Sequence, residues 1–164
     1  DAEKRRRIER IFTPFHDRIR VYLDDRDRQG KPTRIVAIHS FTPTFLGKPR
    51  PWHAGVLFDK SHAFATRLIE RLACDTALVI GANEPYVIDR MGDYAIPVHG
   101  EDRGYPAVLV EIRQDLISAE DGIAQWTERL AAALSSHGFI RFAAIIVAQQ
   151  SALIQDMAGP RHPC

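Results

Sequence analysis

The sequence has little cysteine and no long apolar run. Its 164 residues include two cysteines, Cys74 and Cys164, too few for a disulfide framework or for a zinc site built on cysteine. This scarcity fits a reducing compartment, so we expect a cytoplasmic protein. No apolar run approaches the ~18 residues of a membrane helix, and no signal peptide is visible. The sequence therefore predicts a soluble chain.

The sequence also has no large excess of positive or negative charge. The 22 basic residues face 21 acidic ones, and the formal net charge is +1. Such a chain has no overall field to attract nucleic acid or an anionic membrane, so we expect neither as a partner. The basic run Lys4–Arg7 could form a local nucleic-acid patch, but it also fits the solvated face of an amphipathic helix, which we favour. Small molecules or proteins are the expected partners, and the oligomeric state stays open.

Helical spacing of apolar residues is the first pattern that is present. This spacing predicts a helical segment at residues 2–29. Pro14 within it predicts either a bend in one helix or the meeting of two helices, and Gly30 with Pro32 ends the segment. A second helix is marked by Phe64, Leu68, Ile69 and Leu72. A third is predicted to start at a capping box of Ser118 and Asp121 and to close at Gly138. Residues 139–157 fit a helix or a buried strand, and their alanines and glutamines favour a helix.

Short apolar runs are the second pattern, and they predict strands at 35–38, 54–59, 77–81 and 107–113. With 45% hydrophobic residues, the chain is long enough for one domain with a core. Strands that alternate with helices predict an α/β sandwich with a mainly parallel sheet. Residues 82–106 show no convincing helix or long strand but many polar residues, which is typical of a functional loop.

His39 is the first candidate functional residue. It follows the apolar run Ile35–Ile38 and precedes a turn that contains Pro43. Ligands of open α/β sheets bind beyond the carboxyl ends of the strands, and a neutral imidazole there can bind zinc. The alternative is a histidine that only hydrogen-bonds a backbone carbonyl at the end of its strand. Position alone does not exclude it.

Glu111 is the second candidate, because it interrupts the apolar run Val108–Val110 within a predicted strand. A carboxylate in a strand suited to burial is costly unless it is paired, bound to a metal or needed for chemistry. The alternative is an edge strand that turns Glu111 and Arg113 toward water or toward each other.

Four blocks of sequence carry a resemblance to a known family. The blocks IFTPFHDRI, HSFTPTFLGKPRPWHAGVLFD, GANEPY and YAIPVHGEDRGYPAVLVEIRQDLI resemble the N-formylglutamate amidohydrolases, in the same order and at similar separations. The resemblance implies a three-layer α/β/α fold like that of the zinc carboxypeptidases. It also implies hydrolysis of the amide bond of a small N-acyl amino acid, with one zinc ion. The family's named activity releases formate and glutamate from N-formyl-L-glutamate in histidine degradation.

The resemblance also implies roles for the two candidates. His39 matches a zinc ligand, and Glu111 matches the carboxylate that activates water. A further His and Glu ligand are implied upstream of residue 1. We therefore expect residues 1–164 to be a single amidohydrolase domain that is the C-terminal part of a longer one.

Seven other polar residues are candidates for substrate contact, with a role in shaping their own loops as the alternative for each. An arginine would suit the carboxylates of a glutamate-like substrate. The seven residues are Arg50, His53, Asn83, Glu84, Tyr86, His99 and Arg103.

Two function classes remain: a zinc amidohydrolase, or a non-catalytic or regulatory relative that keeps the fold without a complete metal site.

Overall fold

The computed structural model describes residues 2–135, and the chain divides into two units between Thr33 and Arg34. The predictions for Gly138 and for residues 139–157 lie outside the described residues.

The first unit is helical from Ala2 to Arg28, with a π-helical segment just before Pro14, where the sequence predicted either a bend or the meeting of two helices. Helix α1 spans Ala2–Arg7, a π-helical segment spans Ile8–Phe12, and helix α2 spans Thr13–Arg28. Pro14 occupies the first turn of α2 and has no N–H to donate to the preceding π-helical segment, whose hydrogen bond from the Thr13 N–H to the Ile8 carbonyl comes just before it. Gly30, with a φ of +60°, follows the end of α2 in the left-handed conformation that favours glycine.

The second unit is built on a four-stranded sheet with the order β1-β6-β4-β5. Strands β1 and β6 pair in parallel, as do β4 and β5, whereas β4 and β6 are antiparallel. The sheet is therefore mainly parallel, as predicted, in a mixed α/β fold. The elements are β1 (Ile35–Phe41), β2 (Thr44–Phe45), β3 (Lys48–Pro49), β4 (Ala54–Leu57), α3 (His62–Leu72), β5 (Ile80–Ala82), β6 (Ala107–Arg113) and α4 (Glu120–Ser135).

The main core of this unit lies between one face of the sheet and helices α3 and α4. Alternate residues of a strand point to opposite faces, so each strand sends every second side chain into this core. Burial of these side chains supplies the main drive for packing, because it removes apolar surface from water. The buried cluster contains Val36, Ala54, Val56, Val108, Val110 and Ile112 of the sheet with Phe64, Leu68, Leu72, Trp126, Leu130 and Ala133 of the helices.

The opposite face of the sheet carries Leu57, Leu109 and Glu111.

The prediction that residues 82–106 contain no helix is wrong for the second half of this segment. A π-helix spans Ala95–Gly100 and a 3₁₀ turn spans Glu101–Arg103. Gly100 lies so close to β6 that a Cβ added to it would come within 2.3 Å of the Ala107 Cβ. Close backbone approach therefore requires glycine here.

Four further features differ from the sequence predictions, the first being that β4 ends at Leu57 rather than at 59. β5 begins at Ile80 rather than at 77, because the N–H of Leu78 is bonded to the carbonyl of Asp75 in the turn that follows α3. The loop after β1 contains a short antiparallel pair, β2 and β3, which no pattern predicted. No capping box forms, because the Ser118 hydroxyl donates to the Asp115 carbonyl and α4 begins at Glu120.

Within residues 2–135, none of the helices combines the length and the apolar character that crossing a membrane requires.

The packing of α3 gives the first testable prediction. Leu68 is fully buried in the cluster under α3, so Leu68→Ala should lower the free energy of unfolding by about 2–5 kcal/mol through the cavity it leaves. Ile123→Ala is the control, since Ile123 of α4 is 52% exposed and its loss should cost at most about 0.5 kcal/mol. Urea denaturation of both variants measures the difference. Equal losses would contradict the core described here.

Candidate functional site

His39 and Glu111 lie side by side in the sheet. Parallel pairing of β1 with β6 makes them register partners, and both side chains project from the face opposite the helical core. The Nδ1 atom of His39 is 3.6 Å from the Oε1 atom of Glu111. The prediction that these two strands are parallel and bring the two residues together is confirmed. One detail was wrong: β1 continues through Phe41 because its pairing with β6 extends that far, so His39 lies within the strand.

Glu111 is a buried carboxylate with an unused oxygen. Its residue is 4% exposed, and its Oε2 atom has no hydrogen-bond partner in the described part of the chain. The edge-strand alternative is wrong, because β6 lies between β1 and β4. Arg113 does not pair with Glu111 either, since its Nε–H donates to Asp115 Oδ1 at 2.8 Å. An unsatisfied buried acceptor costs about 1–3 kcal/mol, and more when charged, so this arrangement favours a chemical role.

His39 is the neighbour that can work with this carboxylate. Its side chain is 12% exposed, so it still reaches solvent and is not part of the apolar core. Because Nδ1 faces Glu111, Nε2 is the nitrogen that points away from the carboxylate and can serve a ligand or a proton. A carboxylate beside one imidazole nitrogen commonly orients the ring for binding through the other.

Gly55 of β4 is the register partner of Glu111 on its other side. A Cβ built on Gly55 would lie 1.7 Å from the carbonyl oxygen of Glu84. The backbone of Glu84, which joins Pro85 through a cis peptide bond, therefore rests directly on the sheet where a side chain would otherwise stand. The predicted residue Glu84 thus contributes its backbone to the surroundings of Glu111, and only glycine leaves room for it.

Asp93 is a further acidic residue near the pair, and no sequence pattern singled it out. Partial burial raises the pKa of its carboxyl group, and the charge of Glu111 acts in the same direction. The Asp89 N–H, which donates to Asp93 Oδ2 at 2.7 Å, and the charge of His39 lower this pKa. The only signal in the sequence was a carboxylate within the polar segment 82–106.

Arg50 and Tyr86 come together in a cluster that begins on β1. The Arg50 guanidinium lies over the rings of Phe45 at 4.7 Å, Tyr86 at 4.8 Å and Phe41 at 5.7 Å. Phe41 is two residues beyond His39 and therefore points to the same face of the sheet. These contacts hold the guanidinium by cation–π attraction beside the face that carries His39 and Glu111.

His53 and Asn83 make hydrogen bonds that shape the backbone around β4 and β5. His53 Nδ1 accepts the Val79 N–H at 2.9 Å. Asn83 has a positive φ of 54°, its N–H donates to the Val56 carbonyl, and its Oδ1 accepts the Phe58 N–H at 2.9 Å. Substrate contact by these side chains stays a prediction, and the bonds show that both residues have a structural role.

His99 and Arg103 lie in the helical turns at the C-terminal end of the segment 82–106. His99 is buried in the π-helix, with its ring 5.6 Å from that of Tyr94 in an edge-on arrangement. Arg103 is partly exposed at the end of the 3₁₀ turn, before Gly104 with its φ of +75°. Their contact with substrate also stays a prediction.

The donor groups of this site match part of a zinc centre. A catalytic zinc ion takes three protein ligands and a water. Residues 2–135 contain no group of three or more His, Cys, Asp or Glu side chains placed to hold a metal ion. They do bring one imidazole and one carboxylate with a partnerless oxygen to the same face of the sheet. This pair fits a metal or its bound water, provided that further donors join it.

The close approach at Gly55 predicts a large effect from one methyl group. In Gly55→Ala the new Cβ would overlap the Glu84 carbonyl, so the segment around Glu84 and Pro85 must shift away from the sheet. We expect a loss of stability of about 1–3 kcal/mol or more, together with a change in the surroundings of Glu111. Thermal denaturation measures the first, and the near-ultraviolet circular dichroism of the adjacent Tyr86 reports the second. Wild-type values in both would contradict this geometry.

The raised pKa of Asp93 predicts how a neutral replacement changes stability with pH. The folded state holds the Asp93 proton more tightly than the unfolded chain, whose Asp93 has the ordinary pKa of 3.8. Ionisation of Asp93 therefore costs no folding stability below pH 3.8. The cost develops as the pH rises from there through the raised pKa of the folded state. Asp93→Asn keeps an acceptor for the Asp89 N–H but carries no charge. Its melting temperature should exceed that of the wild type at neutral pH, and the gap should close in acid. A wild type that melts higher at neutral pH would contradict the prediction.

Comparisons with known proteins extend these observations. The crystal structure of gene product Atu2144 from Agrobacterium tumefaciens matches with 30% sequence identity and a TM-score of 0.70, over 82% of this chain and 55% of that one. The chain thus spans about half the length of that relative. A comparison with curated proteins gave no match. A sequence model described as N-formylglutamate amidohydrolase matches residues 1–118. As the resemblance of its four sequence blocks implies, the chain belongs to the N-formylglutamate amidohydrolase family.

Proposed function

We propose that the protein is a metal-dependent amidohydrolase that cleaves the amide bond of a small N-acyl amino acid. The first candidate substrate is N-formyl-L-glutamate, which would yield formate and glutamate in histidine degradation. Membership of the family supports the reaction class. The observation that carries the proposal is the buried Glu111 carboxylate, whose Oε2 atom has no partner in the described residues while Oε1 faces His39.

Glu111 is the proposed general base. Its Oε2 atom is free to accept a proton from a water molecule, which then attacks the acyl carbon. The same carboxyl group afterwards gives the proton to the departing amine. His39 Nδ1 lies 3.6 Å from Oε1, so Oε2 is the oxygen left for the reaction.

His39 is the proposed metal ligand, through the Nε2 atom that points away from Glu111. A bound zinc ion would polarise the acyl oxygen and acidify the attacking water. The remaining ligands are proposed to be a His and a Glu from a segment that precedes residue 1, with residues 1–164 as the C-terminal part of a longer three-layer domain. The proposed compartment is the cytoplasm.

Arg50 is the proposed anchor for a substrate carboxylate. The rings of Phe45 and Tyr86 hold its guanidinium in place, so little side-chain freedom remains to be lost on binding. A planar guanidinium can bind a carboxylate with two parallel hydrogen bonds. Among the seven candidates, Arg50 therefore has the strongest geometric support. Substrate contact by the other six stays a prediction: His53, Asn83, Glu84, Tyr86, His99 and Arg103.

The decisive prediction concerns Glu111→Gln in the intact protein, which includes the segment proposed to precede residue 1. Glutamine keeps the shape of the side chain but cannot take up the proton, so kcat for formate release from N-formyl-L-glutamate should fall by about 10²- to 10⁴-fold. The melting temperature and the bound zinc, measured on the same preparation, should remain close to those of the wild type. Glu128→Gln on the exposed surface of α4 is the matched control and should leave kcat unchanged.

Two outcomes would contradict the proposal. A folded, zinc-loaded Glu111→Gln variant with near-normal kcat would remove Glu111 from the mechanism. An intact wild-type protein that binds no metal and releases no formate would favour the second function, a non-catalytic or regulatory relative.

A further inference from the structure

A cavity of about 310 Å³ lies at the other end of the sheet from His39 and Glu111. It is bordered by Arg34, which precedes β1, and by Tyr105, which precedes β6. Glu111 lies four residues beyond the start of β6, or roughly 13 Å along the strand at ~3.3 Å per residue. The cavity is therefore distinct from the proposed catalytic site, and nothing in the proposed reaction uses it.

Positive charge dominates the lining of this cavity. Arg34, Lys60 and Arg67 contribute cations, and Glu101 is the one acidic residue among the lining side chains. Glu101 is already engaged, since its Oε1 atom accepts the backbone N–H of Lys60 at 2.7 Å. The lining thus carries two positive charges in excess of its negative charge.

The two arginines are held so that they can face a common ligand. Arg67 donates its Nε–H to the Ala63 carbonyl of its own helix at 3.1 Å, which fixes the direction of the side chain. The Arg34 guanidinium lies 5.6 Å from the centre of the Phe64 ring. Partial burial and the neighbouring charge of Arg67 lower the pKa of Arg34, so the two guanidinium groups repel each other. An anion between them would relieve this repulsion.

We propose that the cavity bordered by Arg34, Lys60 and Arg67 binds a doubly charged phosphate group. Two guanidinium groups can each bind phosphate through paired hydrogen bonds, and the lysine adds a third positive charge. A dianion matches the excess charge of the lining, whereas a single carboxylate would neutralise half of it. The volume is at the lower end of the range of small-molecule sites, about 300–1,000 Å³. Phe64 and Tyr105 offer apolar wall to the organic part of a phosphomonoester.

Isothermal titration calorimetry on the purified protein tests the proposal with three probes: inorganic phosphate, glycerol phosphate and the dicarboxylate malonate. We expect saturable binding of phosphate at one site and weaker binding of malonate. Tighter binding of glycerol phosphate than of inorganic phosphate would identify an organic phosphate as the source. Equal affinity would identify the free ion. Binding of malonate as tight as that of phosphate would overturn the phosphate assignment.

Substitutions locate the binding. Arg67→Gln and Arg34→Gln should each raise the Kd for phosphate about tenfold or more, because each removes a charged hydrogen-bond donor. Arg67→Lys keeps the charge without the paired donors and should lie between the wild type and Arg67→Gln. The matched control is Arg71→Gln, which removes the same charge from the last turn of α3, outside the cavity lining, and should leave the Kd unchanged.

The result can also overturn the site itself. Phosphate binding that does not saturate, or that weakens as much in Arg71→Gln as in Arg67→Gln, would show attraction to general positive charge. If Arg34→Gln fails to fold by circular dichroism, Lys60→Gln provides the second test, since Lys60 is exposed on the loop before α3. An unchanged Kd in folded Lys60→Gln and Arg67→Gln would exclude the cavity.

Discussion

The parallel pairing of β1 with β6 is the constraint on which the rest of the site depends. It makes His39 and Glu111 register partners, and the alternation of side chains along each strand directs both to the face opposite the helical core. A shift of one residue in this register would send Glu111 into the apolar cluster beneath α3 and α4. The apolar residues on the other face of the same strands, such as Val108 and Val110, prevent that shift because they must remain buried.

On the β4 side of Glu111, the site is formed by backbone atoms. Gly55 has no side chain, and the Glu84 carbonyl occupies the space beside Glu111 on β4. His53 and Asn83 tie the neighbouring chain to β4 and β5 through hydrogen bonds to main-chain groups. The polar residues of this region thus fall into two kinds. Some fix the positions of loops, and others, such as Arg50 with its surrounding rings, present a charged group beside the sheet.

The two ends of the sheet have different electrostatic character. At one end a buried carboxylate with an unused oxygen stands beside an imidazole and near Asp93, whose pKa is raised by burial. At the other end Arg34, Lys60 and Arg67 border a cavity with excess positive charge. The first arrangement suits proton transfer at a hydrolytic site, and the second suits the binding of an anion. The length of the strands in this small sheet separates the two proposed sites.

Local patterns in the sequence determined most of the elements, the family and the two principal candidates. The apolar runs of β1 and β6 and the spacing of Phe64, Leu68 and Leu72 in α3 depend on neighbouring residues alone. They predicted these elements correctly apart from the end of β1, which continues through Phe41. Burial of Glu111 in a central strand, its contact with His39, the fit of Glu84 over Gly55 and the proximity of Asp93 required the tertiary structure. Each of these depends on pairing or close approach between segments far apart in the chain, for which local spacing carries no information. The start of β5 and the role of Ser118 were mispredicted for the same reason, because turns nearby offered their backbone groups other partners.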